Sequence, residues 1–171
     1  EGKISKDGAM VVKTGIHTGR SAQDKFVVRE SKNKDSVWWD NVKEMSEENF
    51  NHLYQDMIEF SENKDLFVQD LFGGADLEYR LPTRVYTEYA WHSLFIQNLL
   101  ITVKEEEKSD FDPEFIIIDI PSFKANPERH GSRSETIIAV NFDKKIVLIA
   151  GTSYAGEIKK SVFTMLNFFC L

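Results

Sequence analysis

A short loop rich in small residues carries the clearest chemistry in this sequence. It follows an apolar run and reads GTSYAG at residues 151–156, after which Glu157 opens a segment with helical spacing. Glycines let backbone N–H groups turn toward a ligand, and a following helix offers its positive end to an anion. The two glycines have the spacing found in phosphate-binding loops, but Glu157 stands where that motif needs a lysine. The sequence therefore predicts an anion-binding loop without the strict phosphate-loop motif.

Two lysines, Lys159 and Lys160, fall in the first turn of the helix expected after this loop. Cations at a helix amino terminus oppose the helix dipole, and two such lysines are usually just solvated. Their unfavourable position beside an otherwise apolar helix also fits a role in binding an anion. The pattern by itself leaves both interpretations open.

A second candidate loop, TGIHTGRS at residues 14–21, lies near the amino terminus. Its arginine, Arg20, can bind a carboxylate or a phosphate through two parallel hydrogen bonds. The alternative is a surface turn with a solvated arginine, which an isolated loop of this kind favours. Asp24 and Lys25, directly after the loop, are interpreted as a local charge pair.

The other reactive residue types are assigned structural roles. His92 lies in an aromatic-rich helical segment, which favours a buried core histidine. Neither His52 nor His130 has cysteine or acidic residues at metal-ligand spacing, and the basic run at residues 129–133 is interpreted as a surface feature. Cys170 stands in an apolar segment without a histidine nearby in sequence, which indicates packing rather than nucleophilic chemistry.

Hydrophobic periodicity predicts the elements that must position these loops. Strands are expected at Met10–Val12, Phe26–Val28, Leu66–Phe72, Arg84–Thr87, Phe115–Ile120, Ile137–Phe142 and Ile146–Ala150. Helices are expected after an N-cap at Ser46, across Tyr89–Leu100, and across Glu157–Phe169, where the helix should be largely buried.

The order of these elements indicates the fold class. The unbroken apolar run at 115–120 is typical of a strand buried on both faces, and the last two strands form a hairpin around 143–145. The polar stretches 104–112 and 121–134 are interpreted as loops. Because strands outnumber helices and do not alternate with them strictly, the sequence predicts an α/β (mixed α+β) domain with a mixed sheet and flanking helices.

Composition excludes several classes of protein. The chain has 171 residues, 19.8 kDa and a net charge of −7, which argues against a nucleic-acid binder. One cysteine permits no intrachain disulfide and suits a reducing compartment. The sequence shows no signal peptide and no apolar run near the ~20 residues that span a bilayer, so a cytoplasmic protein without a membrane partner is expected. The apolar end at 167–171 suggests a fragment that packs against a following segment.

Four blocks, in order, resemble those of ATP-dependent phosphoenolpyruvate carboxykinases. They are residues 14–26, 70–76, 87–92 and 151–161, and together they span nearly the whole chain. The first block departs at residues 22–23, where Pro-Lys is commoner in the family than the Ala-Gln found here. The resemblance implies that residues 1–171 form an amino-terminal domain that binds oxaloacetate or phosphoenolpyruvate, with the nucleotide-binding domain absent.

The resemblance also implies a reaction and its participants. The family decarboxylates oxaloacetate and phosphorylates the enolate with ATP in gluconeogenesis, with Mn²⁺ as cofactor and Mg²⁺ bound to the nucleotide. By resemblance, Arg20 binds the carboxylate or the leaving CO2 and Tyr154 orients the substrate. Lys159 approaches the transferring phosphate, while Lys160 contacts substrate and nucleotide phosphates and ligates the metal as a neutral amine.

The same resemblance predicts what the chain cannot do alone. The family's phosphate-binding loop, its metal-binding histidine and aspartate, and a further substrate arginine all belong downstream of the last matched block. We therefore expect no turnover by these 171 residues without the carboxy-terminal domain. The alternatives are a non-catalytic domain that binds small carboxylates or phosphates, and a domain whose basic residues are merely solvated.

Overall fold

A computed structural model describes residues 2–169 of the chain. The strands in this range are β1 Gly2–Ile4, β2 Met10–Val12, β3 Lys25–Val28, β4 Lys43–Met45, β5 Phe67–Gly73, β6 Leu81–Thr87, β7 Ile101–Thr102, β8 Phe115–Ile120, β9 Ile137–Asn141 and β10 Ile146–Ala150. The α-helices are α1 Glu47–Ser61, α2 Ala90–Gln97, α3 Pro127–His130 and α4 Gly156–Phe169.

Within residues 2–169, β3 to β10 form one mixed eight-stranded sheet in the order β4-β3-β9-β10-β8-β6-β5-β7, and β1 and β2 form a separate antiparallel hairpin. The central strand β8 is parallel to both β6 and β10. The predicted hairpin between β9 and β10 is confirmed. So is the fold class, a mixed sheet with flanking helices.

Helices cover both faces of the sheet, which explains the apolar run in β8. Ile117 belongs to the core cluster that includes residues of α2 and α4, whereas Ile118 belongs to the cluster that includes residues of α1. Successive side chains of a strand point to opposite faces, so a central strand between two helical layers needs apolar residues at nearly every position. Ser46 caps α1 by accepting a hydrogen bond from the Asn49 backbone N–H at 3.1 Å, as predicted.

The strand directions bring two distant loops to one edge of the sheet. β3 is parallel to β9, and β9 is antiparallel to β10. Lys25 at the start of β3 therefore pairs with Ile138, which in turn pairs with Ile149 near the end of β10. The loop before β3 and the loop after β10 thus meet at this edge, where the parallel strands β6 and β8 also end.

Several expectations about secondary structure need correction. Strands β1, β4 and β7 are not predicted, because they are short and, unlike β2, none of them contains three consecutive apolar residues. The segments expected to be loops contain a 3₁₀ helix at Glu105–Asp110 and the short helix α3.

The last helix is amphipathic rather than largely buried. Ile158 and Met165 are fully buried on α4, but Phe163 and Phe169 are 52% and 41% exposed. One side of α4 packs on the sheet and the other faces outward, next to the loop after β10. Cys170, expected to pack in the core, lies outside the described residues. No helix within 2–169 has the length and apolar character needed to cross a membrane.

Candidate active site

The structure brings together the residues that the sequence singled out for anion binding. A cleft of about 560 Å³ at the edge of the sheet is lined by Arg20, Tyr154, Gly156, Lys159 and Lys160, with an apolar rim of Phe95, Leu99 and Phe163. The polar lining comes from the loop before β3, the loop after β10 and the first turn of α4. The rim comes from α2, the short turn that follows it, and the exposed side of α4.

The Tyr154 loop depends on its two glycines for different reasons. Gly151 has φ +71°, and a Cβ atom there would lie 2.2 Å from the Glu135 carbonyl oxygen, so a larger residue does not fit. At Gly156, a Cβ atom would lie 2.4 Å from a ring carbon of Tyr154. The Tyr154 ring therefore lies directly against the start of α4, and the small-residue pattern of the loop reflects close packing.

The two lysines extend from the first turn of α4 into the cleft. Lys159 is exposed and Lys160 is half-buried. The Lys160 Nζ atom lies 4.6 Å from the centre of the Phe163 ring, a distance at which the ring face attracts a cation. The backbone N–H of Glu157 donates to the Tyr154 carbonyl oxygen at 3.1 Å, which fixes the loop relative to this turn.

The loop that carries Arg20 is fastened to the same framework. His17 Nε2 lies 2.9 Å from Thr136 Oγ1, and the Thr136 hydroxyl donates to the Gly151 carbonyl oxygen at 2.8 Å. The backbone N–H of Ser21 donates to Glu157 Oε1 at 2.7 Å. These contacts hold Arg20 close to the Tyr154 loop although 134 positions separate them in sequence.

Glu157 is a site residue whose role the sequence did not reveal. Its side chain is buried, and burial raises the pKa of the carboxyl group, while the Ser21 N–H and the cations Arg20 and Lys25 oppose that rise. In sequence, Glu157 registers only as a departure from the phosphate-loop motif. In the structure it joins the Arg20 loop to α4 and places a carboxyl group among the cations.

The interpretation of Asp24 and Lys25 as a local charge pair is wrong. Lys25 extends instead toward α4, where its Nζ donates to Thr164 Oγ1 at 2.7 Å. Burial, followed by repulsion from Lys160, lowers the pKa of Lys25 from its ordinary value of 10.5 to about 8. Lys25 thus adds a partly desolvated cation behind the cleft. Asp24 ends a short 3₁₀ helix at Ala22–Asp24, whereas Lys25 begins β3, and the two side chains have partners in different segments of the chain.

Asp24 is buried and belongs to a second network. Both oxygens of its carboxylate accept from Arg133, each at 3.0 Å, and the hydroxyl groups of Ser21 and Ser134 donate to it at 2.5 and 3.0 Å. Burial by itself raises the pKa of Asp24, but these hydrogen bonds outweigh burial and lower it. Through Ser21, this network also supports the Arg20 loop.

Two histidines, His92 and His130, pair with acids. His92 is a buried core histidine, as predicted, and its Nδ1 lies 2.5 Å from Asp119 Oδ2. His130 Nε2 lies 2.9 Å from Asp56 Oδ2. Within residues 2–169, no group of three or more histidine, cysteine, aspartate or glutamate side chains is placed to hold a metal ion.

Comparison with known proteins agrees with the resemblance. A family model described as phosphoenolpyruvate carboxykinase matches residues 1–171. A phosphoenolpyruvate carboxykinase (ATP) of Parvibaculum lavamentivorans is 64% identical over 168 residues, or 98% of this chain and 31% of that relative. Proteins of the same name from Brucella anthropi and a Methylobacterium species are 60% and 58% identical over the same shares of each chain. The chain thus spans about a third of the length of these relatives, and it belongs to the phosphoenolpyruvate carboxykinase family.

Proposed function

We propose that the cleft binds oxaloacetate and phosphoenolpyruvate as part of an ATP-dependent phosphoenolpyruvate carboxykinase. The observation that carries the proposal is the convergence of Arg20, Lys159 and Lys160 on Tyr154, with Lys25 close behind. Positive charge concentrated in a partly apolar cleft suits a small dianion, because fixed cations there stabilise charge better than water does. Residues 1–171 act in this proposal as the substrate-binding domain.

The reaction of the whole protein explains why the cleft needs this charge. Oxaloacetate loses a carboxylate as CO2, and the electron pair of the broken C–C bond forms an enolate. The enolate oxygen then takes the γ-phosphoryl group of ATP, which leaves ADP and phosphoenolpyruvate. Each species carries negative charge, so the protein's contribution is positioning and electrostatic stabilisation.

The residues of the cleft take distinct roles in this proposal. The planar guanidinium of Arg20 binds the carboxylate that leaves as CO2 through paired hydrogen bonds. The Tyr154 hydroxyl orients the substrate, while its ring is fixed against Gly156. Lys159 stabilises the phosphoryl group in transfer, and Lys160 contacts the substrate and the nucleotide phosphates.

The described residues do not fit a complete Mn²⁺ site. Lys160 offers one nitrogen donor, and no cluster of histidine, cysteine or acidic side chains within 2–169 completes a coordination shell. Lys160 is therefore proposed as a single ligand within the whole protein, and no step is derived through the metal. ATP, too, is expected to bind mainly through segments that the relatives carry outside the matched third.

The decisive experiment is a chimera in which this chain replaces the matching 168 residues of the Parvibaculum lavamentivorans relative. We expect ATP-dependent formation of phosphoenolpyruvate from oxaloacetate by the chimera and none by the 171-residue chain. The isolated chain should still bind oxalate, a planar dianion that resembles the enolate. Turnover by the isolated chain would contradict the proposal that residues 1–171 bind the substrate but need the rest of the protein for catalysis.

Matched variants separate this function from its alternatives. Arg20→Ala should weaken oxalate binding by the isolated chain, whereas Arg129→Ala should not, because Arg129 is already paired with Asp56. Oxalate binding by the isolated chain together with an inactive chimera would favour a non-catalytic anion-binding domain. Equal, weak binding by the parent and Arg20→Ala would indicate that the basic residues are merely solvated.

A further inference from the structure

A buried histidine–aspartate pair lies behind the Tyr154 loop, and the proposed function does not use it. His92 stands in the first turn of α2 and Asp119 near the end of β8, and each side chain is 1% exposed. His92 Nδ1 and Asp119 Oδ2 are 2.5 Å apart. The rings of Trp91 and Tyr89 contact the imidazole edge-on, with centroid distances of 4.1 and 5.4 Å. The orientation of the imidazole is therefore fixed on several sides.

The other ring nitrogen of His92 reaches the functional loop. His92 Nε2 lies 3.1 Å from the carbonyl oxygen of Ser153, the residue directly before Tyr154. The backbone N–H of Tyr154 donates to Thr152 Oγ1 at 3.2 Å, and its carbonyl oxygen accepts from Glu157. A shift of the Ser153 carbonyl would therefore move both the Tyr154 ring and the start of α4.

The chemistry of these atoms fixes where the protons lie. A carbonyl oxygen only accepts hydrogen bonds, so Nε2 must carry a hydrogen to bond Ser153. One further proton lies between Nδ1 and Asp119, and the pair is neutral overall whether nitrogen or oxygen holds it. The second carboxyl oxygen, Asp119 Oδ1, is buried without a hydrogen-bond partner among residues 2–169. Such an oxygen costs less free energy in a carboxylic acid than in a carboxylate.

We propose that Asp119 and His92 are positioning residues for the substrate site: Asp119 fixes the Nε2–H tautomer of His92, and His92 holds the Ser153 carbonyl so that Tyr154 faces the cleft. In this arrangement the Asp119 carboxylic acid donates to Nδ1, and Nε2–H donates to Ser153. The pair adds no net charge to the neighbouring cations. The inference rests on the proposed function, because it assigns the pair to the Tyr154 loop as a substrate-binding element.

Three variants distinguish positioning from ordinary core packing. Asp119→Asn keeps a donor for Nδ1, since the amide N–H takes the place of the acid O–H, and so preserves the Nε2–H tautomer. Asp119→Leu fills similar space but no longer selects a tautomer. His92→Phe keeps the aromatic packing and removes the hydrogen bond to Ser153.

The main measurement is the affinity of the isolated chain for oxalate, set beside the free energy of unfolding in urea. We expect His92→Phe to weaken oxalate binding about tenfold, as loss of one buried hydrogen bond suggests. Asp119→Leu should weaken it by a smaller factor, and Asp119→Asn should stay within about twofold of the parent. Asp70→Asn is the control, because Asp70 accepts two hydrogen bonds from Arg84 in the middle of β6, away from the His92–Asp119 pair and the Tyr154 loop. It should lower stability and leave oxalate affinity unchanged.

A second measurement does not depend on the ligand. Nitrogen NMR of chain labelled in its histidine rings should show a hydrogen on Nε2 of His92 in the parent and in Asp119→Asn, and a mixture of tautomers in Asp119→Leu. A parent with bare Nε2 would overturn the inference, as would Asp119→Asn that binds oxalate as weakly as Asp119→Leu. If the parent fails to bind oxalate, the proposed function fails, and the tautomer result still decides whether the pair holds the loop.

Discussion

Two arginine-bearing loops look alike in sequence and differ in what surrounds them. The loop at 14–21 and the loop at 129–133 both combine glycine, serine, histidine and arginine, and each by itself suggests a solvated surface turn. In the structure, the second loop is neutralised. Arg129 binds Asp56 with two hydrogen bonds of 2.6 and 2.7 Å, and Arg133 binds Asp24 in the same manner.

Arg20 lacks such a partner. No carboxylate of residues 2–169 forms an ion pair with its guanidinium, and the cations Lys25 and Lys160 share its surroundings. The charge of Arg20 acts on the Glu157 carboxyl group, but Glu157 Oε1 already accepts a hydrogen bond from the Ser21 backbone N–H. The difference separates two uses of arginine. A paired arginine fixes a loop, whereas an unpaired arginine beside other cations leaves a site that a bound anion can neutralise.

The largest effect should come from removing the unpaired arginine. In the chimera, Arg20→Ala should lower the rate of phosphoenolpyruvate formation by at least about 10²-fold, because the reacting carboxylate loses the paired hydrogen bonds that position it. The free energy of unfolding should change little. Arg129→Ala should instead lower the free energy of unfolding and leave the rate near that of the parent. Equal rate losses in both variants would erase the distinction between the loops.

A substitution of Lys25 should reveal how much the free energy of unfolding is reduced by bringing the cations together. The pKa of Lys25 falls from 10.5 to about 8 in the folded chain, which corresponds to about 3 kcal/mol. Below pH 8 the lysine is protonated in both states, so the folded state bears the full cost. Between pH 8 and 10.5 the folded state releases the proton first, and the free energy of unfolding rises. Lys25→Met should therefore be more stable than the parent at pH 7.

The test is urea unfolding of both chains from pH 7 to 10.5. The stability advantage of Lys25→Met should shrink as pH rises through this range. Lys32→Met, at an exposed position, is the control and should track the parent at every pH. If the difference in free energy of unfolding between Lys25→Met and the parent stays constant with pH, folding does not lower the pKa of Lys25.

The Lys25 example shows where sequence patterns reach their limit. Helix α1 is predicted from the helical spacing of its apolar residues, and strands β8 and β10 from unbroken apolar runs of strand length. Asp24 and Lys25 were misread because their partners, Arg133 and Thr164, lie more than 100 residues away. Local spacing carries no information about contacts at that separation.

The candidate site was predictable for a different reason. The small-residue loop and the lysines after it indicated an anion, but only the resemblance to a family joined them to Arg20. Periodicity offered no reason for the loop before β3 to meet the loop after β10. That meeting follows from strand order, since β9 lies between β3 and β10 with opposite direction to β10. The roles of Glu157 and of the His92–Asp119 pair depend on the same three-dimensional register.

Asp24 should matter for stability and, more weakly, for the site. Asp24→Ala removes hydrogen bonds from Arg133, Ser21 and Ser134 to a buried carboxylate, and about 2 kcal/mol of stability should be lost. Because Ser21 adjoins Arg20, oxalate affinity should also fall, though less than in Arg20→Ala. Urea unfolding and oxalate titration of the isolated chain measure the two effects. Unchanged affinity would show that Glu157 holds the Arg20 loop without help from Asp24.

The smallest effect should come from Asp56, on the opposite face of the sheet. Hydrogen bonds from Arg129, and then from His130, outweigh burial and lower the pKa of Asp56 below its ordinary 3.8. A carboxyl group with a lowered pKa stabilises the fold above that ordinary value, and the contribution disappears as acid protonates the folded state. Asp56→Asn should therefore cost about 1 kcal/mol at pH 7, a modest figure because the pair is partly solvated, and progressively less below pH 3.8. Oxalate affinity at pH 7 should match that of the parent. A weaker affinity would show that a change at Arg129 reaches the Arg20 loop through Arg133 and Asp24.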